Sequence, residues 1–239
     1  MSAVTEDGFL DGRLRICQPE RGFRAGLDAV MLAAAVPAGA GDSALELGAG
    51  VGTASLCLAA RTGCRVTGIE IEPALVALAN GNAARNGMAG RVTFRAGDVL
   101  SGGGDWGRFE HVFCNPPFHD ERGQRSPDAG RARALQDVGT LSQWVRSGLE
   151  CVVSHGSFTI ILRADRLDEV MAALPDQGAV ILPLRPRAGG TAKRVIVQWR
   201  AGCTEPHRTM DGFVLHQDDN RYTAEADAIL RDAGALKVI

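Results

Sequence analysis

The chain has 239 residues, 45% hydrophobic and 23% charged, a balance that fits one α/β domain with or without a small appendage and excludes a disordered or fibrous chain. The formal net charge of −2 excludes a uniformly basic coat for nucleic acid, so any contact with phosphates must come from a local patch. The six cysteines form no C-x-x-C pair, no export signal opens the chain, and no run of about 18 apolar residues offers a membrane span; free buried thiols and a cytoplasmic home are the expectation.

Residues 1–25 are polar and rich in Gly and Arg, with one short apolar piece at Arg13–Ile16. From Gly26 to Val36, Leu27, Val30, Met31, Ala34 and Ala35 recur at spacings of three and four, which predicts a helix ended by Pro37 and Gly39. Strands and helices then alternate. Ala44–Leu47 reads as a strand, Thr53–Arg61 as a helix and Arg65–Glu70 as a strand. Pro73 opens a helix that Asn86-Gly87 closes. Val92–Phe94 and His111–Cys114 read as strands, Leu141–Glu150 as a helix, Ser157–Leu162 as a strand and Leu167–Leu174 as a helix. Ala179–Leu182 and Val195–Trp199 are the last two strands. Such alternation predicts a mostly parallel sheet of about seven strands with helices on both faces. The last two strands are joined by a loop without a helix, Pro183–Arg194, so the final strand is expected to run antiparallel near one edge. Residues 116–139 form a long connection of the kind that usually carries function.

The turn after the first predicted strand of this alternation, Glu46-Leu47-Gly48-Ala49-Gly50-Val51-Gly52, lets a ligand approach the main chain. Thr53 stands where a dinucleotide fingerprint needs glycine, and no lysine follows for a P-loop. A ligand without phosphates fits this turn better. Glu70 ends the next strand and can accept from a ribose diol, with Ile71 and Glu72 beside it. Asp98, with Val99, follows the third strand and can reach an adenine amino group. Glu46 can face a cationic moiety. Each acid alone is an ordinary loop carboxylate; together they occupy the strand ends where open α/β sheets bind ligands.

Asn115-Pro116-Pro117-Phe118, after the fourth strand, is the most specific signal in the chain. An exocyclic amine conjugated with a ring is a poor nucleophile. The Asn115 side-chain oxygen and the Pro116 carbonyl can accept its N–H groups and hold it in line. The prolines stiffen the loop, and Phe118 offers a stacking face worth about 1–3 kcal/mol.

This ordered set resembles the class I S-adenosylmethionine-dependent methyltransferases over residues 42–163. The flanks narrow the resemblance. Gln18–Leu32, Lys193–Val197, Asp211–Leu215 and Tyr222–Glu225 are similar to segments of the bacterial tRNA(Val) adenine-N6 methyltransferases. There the segment before the sheet wraps over the cofactor, which implies roles for Gly26 and Asp28. Two departures stand out: Phe118 where tyrosine is usual, and Gly26-Leu27-Asp28 in place of Gly-Thr-Asp.

The resemblance implies a Rossmann-like α/β fold and one methyltransferase domain over 1–239: a cofactor-covering segment (1–41), a core (42–200) and an extension (201–239). It implies S-adenosylmethionine bound by Gly26, Asp28, Glu46, Gly48, Gly50, Gly52, Glu70, Ile71, Asp98, Val99 and Asn115, with Asn115–Phe118 as the catalytic turn. An RNA substrate, tRNA first, is expected. Its phosphates would meet one patch at Arg122, Arg125, Arg131 and Arg133, and another at Arg185, Arg187, Lys193 and Arg194. No metal is expected, since His111, His119, His155, His207 and His216 show no ligand spacing. A monomer or weak homodimer is expected. The alternatives are rRNA, DNA or a protein glutamine amide as substrate, and a non-catalytic cofactor-binding module. Glutamine methyltransferases carry a helical domain before the glycine turn, whereas only about 40 residues precede it here.

Overall fold

A computed structural model describes residues 3–22, 24–102, 106–117 and 141–238. The first segment, read as polar from its sequence, forms an antiparallel hairpin of β1 (Val4–Phe9) and β2 (Leu14–Pro19). Its turn takes left-handed backbone at Leu10, Asp11 and Gly12. Helix α1 (Leu27–Ala35) follows, as expected.

The main sheet takes β3 (Ser43–Leu47), β4 (Arg65–Glu70), β5 (Val92–Ala96), β6 (Phe109–Cys114), β7 (Val152–Arg163), β8 (Ala179–Arg185) and β9 (Arg194–Arg200), plus the two-residue strands β10 (Arg208–Thr209) and β11 (Phe213–Val214). Across the sheet the order is β5-β4-β3-β6-β7-β9-β8, with β10 and β11 both on β8. Only β9 runs antiparallel to its neighbours β7 and β8, one place in from β8. The short β10 and β11 were not expected.

Helices α2 (Thr53–Thr62) and α3 (Pro73–Arg85) pack with α1 and α6 (Ala224–Asp232) on one face. Helices α4 (Leu141–Glu150) and α5 (Leu167–Met171) cover the other. The strands divide their side chains between the two cores with period two. Ile161 and Ile196 face the first, and Ile160, Leu162, Val195 and Val197 the second. Edge strand β5 is pinned by Asn80 of α3, whose amide donates to the Phe94 carbonyl (2.9 Å) and accepts from the Phe94 N–H (3.1 Å).

Strand order reverses at β3, because β4 and β5 lie on one side of it and β6 and β7 on the other. Open sheets bind ligands at the carboxyl ends of the strands beside such a reversal. At the opposite, amino edge, Ser157 Oγ lies 2.9 Å from His111 Nδ1, and His111 Nε2 lies 3.1 Å from Asp42 Oδ2. The Gly39 N–H, more than this ring, holds the Asp42 carboxyl below its ordinary range. Ser157 is buried, so the trio fastens strands and presents no nucleophile.

Candidate active site

Leu47 of β3 and Cys114 of β6 are paired in the parallel ladder. Gly48 and Asn115 therefore leave the sheet side by side, about one strand spacing, ~4.8 Å, apart. The glycine turn and the Asn-Pro-Pro turn thus form two walls of one crevice.

In the first wall, Gly48, Gly50 and Gly52 all have positive φ, between 55° and 85°. A Cβ on Gly48 would stand 2.4 Å from the Trp144 ring, and one on Gly52 2.4 Å from the Phe94 ring. These two glycines let aromatic side chains press against the turn from either side. At Gly50 a Cβ would meet nothing within 4 Å. The described residues leave that side of the turn open, as close approach of a ligand requires. Glu70 braces it: one carboxylate oxygen accepts from the Gly50 N–H (2.8 Å) and the other from the Glu72 N–H (2.9 Å). Each oxygen keeps a second lone pair for a ribose hydroxyl.

Ile71 and Leu100, 49% and 37% exposed, stand just beyond the ends of β4 and β5. They are exposed apolar side chains against which a flat heterocycle can lie. Asp98 is exposed, and one of its oxygens caps the following turn by accepting from the Leu100 N–H (2.9 Å). Val99 is buried, and its carbonyl accepts from Ser147 Oγ (2.7 Å).

Glu46 points inward. Its carboxyl accepts from the N–H and the hydroxyl of Ser55 in α2. Burial pushes its pKa up to about 8, despite the Ser55 hydrogen bonds that oppose the rise. Near neutrality this group is mostly uncharged, so the negative countercharge expected from the sequence is weak in this fold. Asp28 opens α1 and pairs with Arg194 of β9 at 2.9 Å. The sequence assigns these two residues to different ligands, Asp28 to the cofactor and Arg194 to RNA. A Cβ on Gly26 would meet open space.

In the second wall, Pro116 is buried and Pro117 half-buried. The Asn115 Oδ1 is buried and has no hydrogen-bond partner among the described residues. Buried polar atoms are nearly always satisfied, so an orphan in a crevice calls for a donor from outside the chain. An amine N–H bound beside the glycine turn supplies one. Burial also drives the neighbouring Cys114 thiol well above its ordinary range, which leaves it inert as a nucleophile. Phe118, Arg122, Arg125, Arg131 and Arg133 lie outside the described residues.

Two residues that brace the site are not among the site residues expected from the sequence. Asn82 of α3, 1% exposed, grips Cys17 in the hairpin by its N–H (2.8 Å) and its carbonyl (3.0 Å). The same side-chain amide donates to the Val51 carbonyl of the glycine turn (3.0 Å). Gln18, also 1% exposed, accepts from the Ala25 N–H (2.8 Å) and so sets the chain leading into Gly26. Among the described residues, no three His, Cys, Asp or Glu side chains come together to hold a metal ion. No described helix is long and apolar enough to cross a membrane.

Strand order, glycine turn and Asn-Pro-Pro turn together define a class I S-adenosylmethionine-dependent methyltransferase. The chain belongs to the methyltransferase small domain family, which matches residues 26–158. It is 28% identical over 235 residues to a tRNA1(Val) (adenine(37)-N6)-methyltransferase of Porphyromonas gingivalis, covering 92% of this chain and 91% of that one. A protein with the same name from a Shewanella species is 26% identical over 219 residues, covering 88% and 92%. Among solved structures, a predicted O-methyltransferase from Agrobacterium tumefaciens aligns with a TM-score of 0.73 at 24% identity, over 88% of this chain and 98% of that one. A ribosomal protein L11 methylase from Lactobacillus delbrueckii aligns at 0.52 and 16% identity, over 73% and 77%. These two likenesses speak for the fold.

Proposed function

We propose that the protein methylates N6 of an adenine in tRNA, at the position beside the anticodon of tRNA(Val). The observation that carries this reading is the buried Asn115 Oδ1, without a partner among the described residues, beside a glycine turn that those residues leave open at Gly50. The relatives named for adenine-37 of tRNA1(Val), similar along most of their length, favour adenine over other planar amines.

S-adenosylmethionine, when bound, supplies an electrophilic methyl group on a sulfonium. The chain's own residues do the rest. Glu70, Ile71, Asp98 and Leu100 hold the nucleoside half of the cofactor, while the turn at Gly50 admits it against the main chain. Asn115 Oδ1 and the Pro116 carbonyl accept the two amine N–H groups of the target base. This fixes the nitrogen in place and lets its lone pair turn toward the methyl group. The methylated nitrogen sheds its surplus proton to water, since the Asn115 amide and the Pro116 carbonyl accept hydrogen bonds but are too weakly basic to keep a proton. Phe118 supplies a face for the extruded base. An anticodon-loop adenine is unpaired or easily splayed, so extrusion is cheap.

The test is incubation with labelled S-adenosylmethionine and, separately, unmodified tRNA(Val), bulk rRNA, DNA and total protein, followed by digestion to nucleosides or amino acids. N6-methyladenosine from tRNA(Val) is expected. Label recovered in methylglutamine, in DNA or in rRNA alone would replace this reading.

A further inference from the structure

Two strands beyond β6, the same carboxyl edge carries a second concavity of about 380 Å³. Its floor is apolar: Leu167 from α5, Ile181 and Pro183 from β8, and Val195 from β9. Thr191 and Thr209 give it a polar rim. Arg185 lines one side, and its guanidinium donates to the Gly190 carbonyl (2.7 Å), which shapes the 186–193 loop into a wall.

Between Arg185 and Arg194 the sequence has four cations and no acid. Their electrostatic situations differ. Arg194 faces Asp28, and nearby Arg163 and Arg166 face Asp165 and Glu169. Among the described residues Arg185 bonds only main-chain carbonyls, those of Gly190 and Asp211. Arg187 bonds the side-chain amide oxygen of Asn220 and is exposed. Lys193 is exposed, with no carboxylate within reach among the described residues. An apolar slot of this size, with Arg185 in its lining and Arg187 and Lys193 in the loop that forms its wall, none of the three paired with a carboxylate among the described residues, suits a ligand that is flat, apolar-faced and anionic at one end. A nucleotide has that form. Two strand spacings separate β6 from β9, about 10 Å, a distance an unpaired strand covers between near neighbours.

We propose that this concavity is a subsite for a nucleotide flanking the target adenine. Its base lies on the apolar floor, and its phosphate is held by Arg187 and Lys193. The inference rests on the reading of the protein as an RNA methyltransferase.

The test uses unmodified tRNA(Val) anticodon stem-loop transcripts, intact or with one abasic site at each position flanking the target adenine. Wild-type protein is compared with Ala192→Trp and, as a second filling variant, Thr191→Trp. Cofactor affinity is measured alongside to show that each variant is folded. With wild type, one abasic position is expected to lower kcat/KM by about 5- to 140-fold, the range of a lost base–protein stack. The filled variants should lose a similar factor on intact RNA and show no further loss at that abasic position. Arg187→Gln with Lys193→Gln should flatten the plot of log affinity against log salt by about 1.4, two single-strand phosphates' worth. Wild-type rates on intact RNA from both filled variants, or equal sensitivity to every abasic site with and without filling, would overturn the subsite alone. No methylation of any transcript by wild type would overturn the subsite together with the RNA reading.

Discussion

Arg194 Nε stands 2.9 Å from Asp28 Oδ2, joining the start of β9 to the first turn of α1. The two side chains are 34% and 23% exposed, so water weakens the pair without dissolving it. A double-mutant cycle with Asp28→Asn and Arg194→Gln should give a coupling of about 0.5–1 kcal/mol in denaturant unfolding, reduced in high salt. Because Arg194 already has a carboxylate, Arg194→Gln should cost less RNA affinity than Lys193→Gln. The reverse order would show that RNA takes Arg194 away from Asp28.

Asn115→Ala should abolish methyl transfer while cofactor affinity, measured by titration calorimetry, stays within a few fold. The side-chain oxygen has no partner within the described chain, so its loss should also leave stability nearly unchanged. A variant that still turns over removes Asn115 from the reaction.

The three glycines of the turn should separate into two kinds. Gly48→Ala and Gly52→Ala drive a methyl group into the Trp144 or Phe94 ring at left-handed backbone, and should destabilise by about 3 kcal/mol. Gly50→Ala meets only the backbone cost, about 1 kcal/mol, since its Cβ enters open space. That space is where the proposed site admits the cofactor, so Gly50→Ala should lose cofactor affinity at least as severely as stability. Unchanged affinity in a folded Gly50→Ala protein would place the ligand elsewhere.

Asn82→Ala should raise the KM for S-adenosylmethionine more than it lowers kcat, because it frees the Val51 carbonyl and the hairpin at once. It should also destabilise by about 1–3 kcal/mol, the usual cost of stranding buried polar groups. Asn82→Asp, which keeps the shape but turns both donors into acceptors, should be no better. A kcat effect without a KM effect would count against this role.

The pH dependence of stability follows from Glu46. Its folded pKa of about 8 lies above its ordinary 4.5, so the folded state binds the proton more tightly than the unfolded state. Stability from this group is fully present below pH ~4.5 and drains away as pH rises through about 8, at up to ~1.4 kcal/mol per pH unit. In the cofactor-free protein, Glu46→Gln should remove that decline, so the variant gains on wild type between pH 5 and 8.5. Parallel melting profiles across that range would rule out a buried, proton-retaining Glu46.

How legible all this was depended on how local the cause was. The alternating strands, the glycine turn and Asn115-Pro116-Pro117 are set by neighbours in sequence, and periodicity and turn chemistry expose them. The hairpin is different. Strand β1 is mostly exposed and has no apolar alternation, and the hairpin is held by Asn82 and Asn86, tens of residues downstream. The Trp144 ring behind Gly48 and the amide of Asn82 behind Val51 are likewise contacts between distant segments. Strands β10 and β11, two residues each, are too short for any period to show. Glu46 was visible as an acid at a strand end, but its inward turn toward Ser55 depends on which face of β3 it occupies.

The pairing of Leu47 with Cys114 bears on how robust the reaction centre is. No hinge has to swing to bring the methyl donor's turn and the acceptor's turn together. They meet as soon as the two middle strands zip, and a one-residue slip would break the hydrophobic pattern of both. Fraying of the β8 margin or of the C-terminal helix should therefore impair substrate capture long before it touches the chemistry. Native-state hydrogen exchange should find the amides of Leu47 and Cys114 among the last to open.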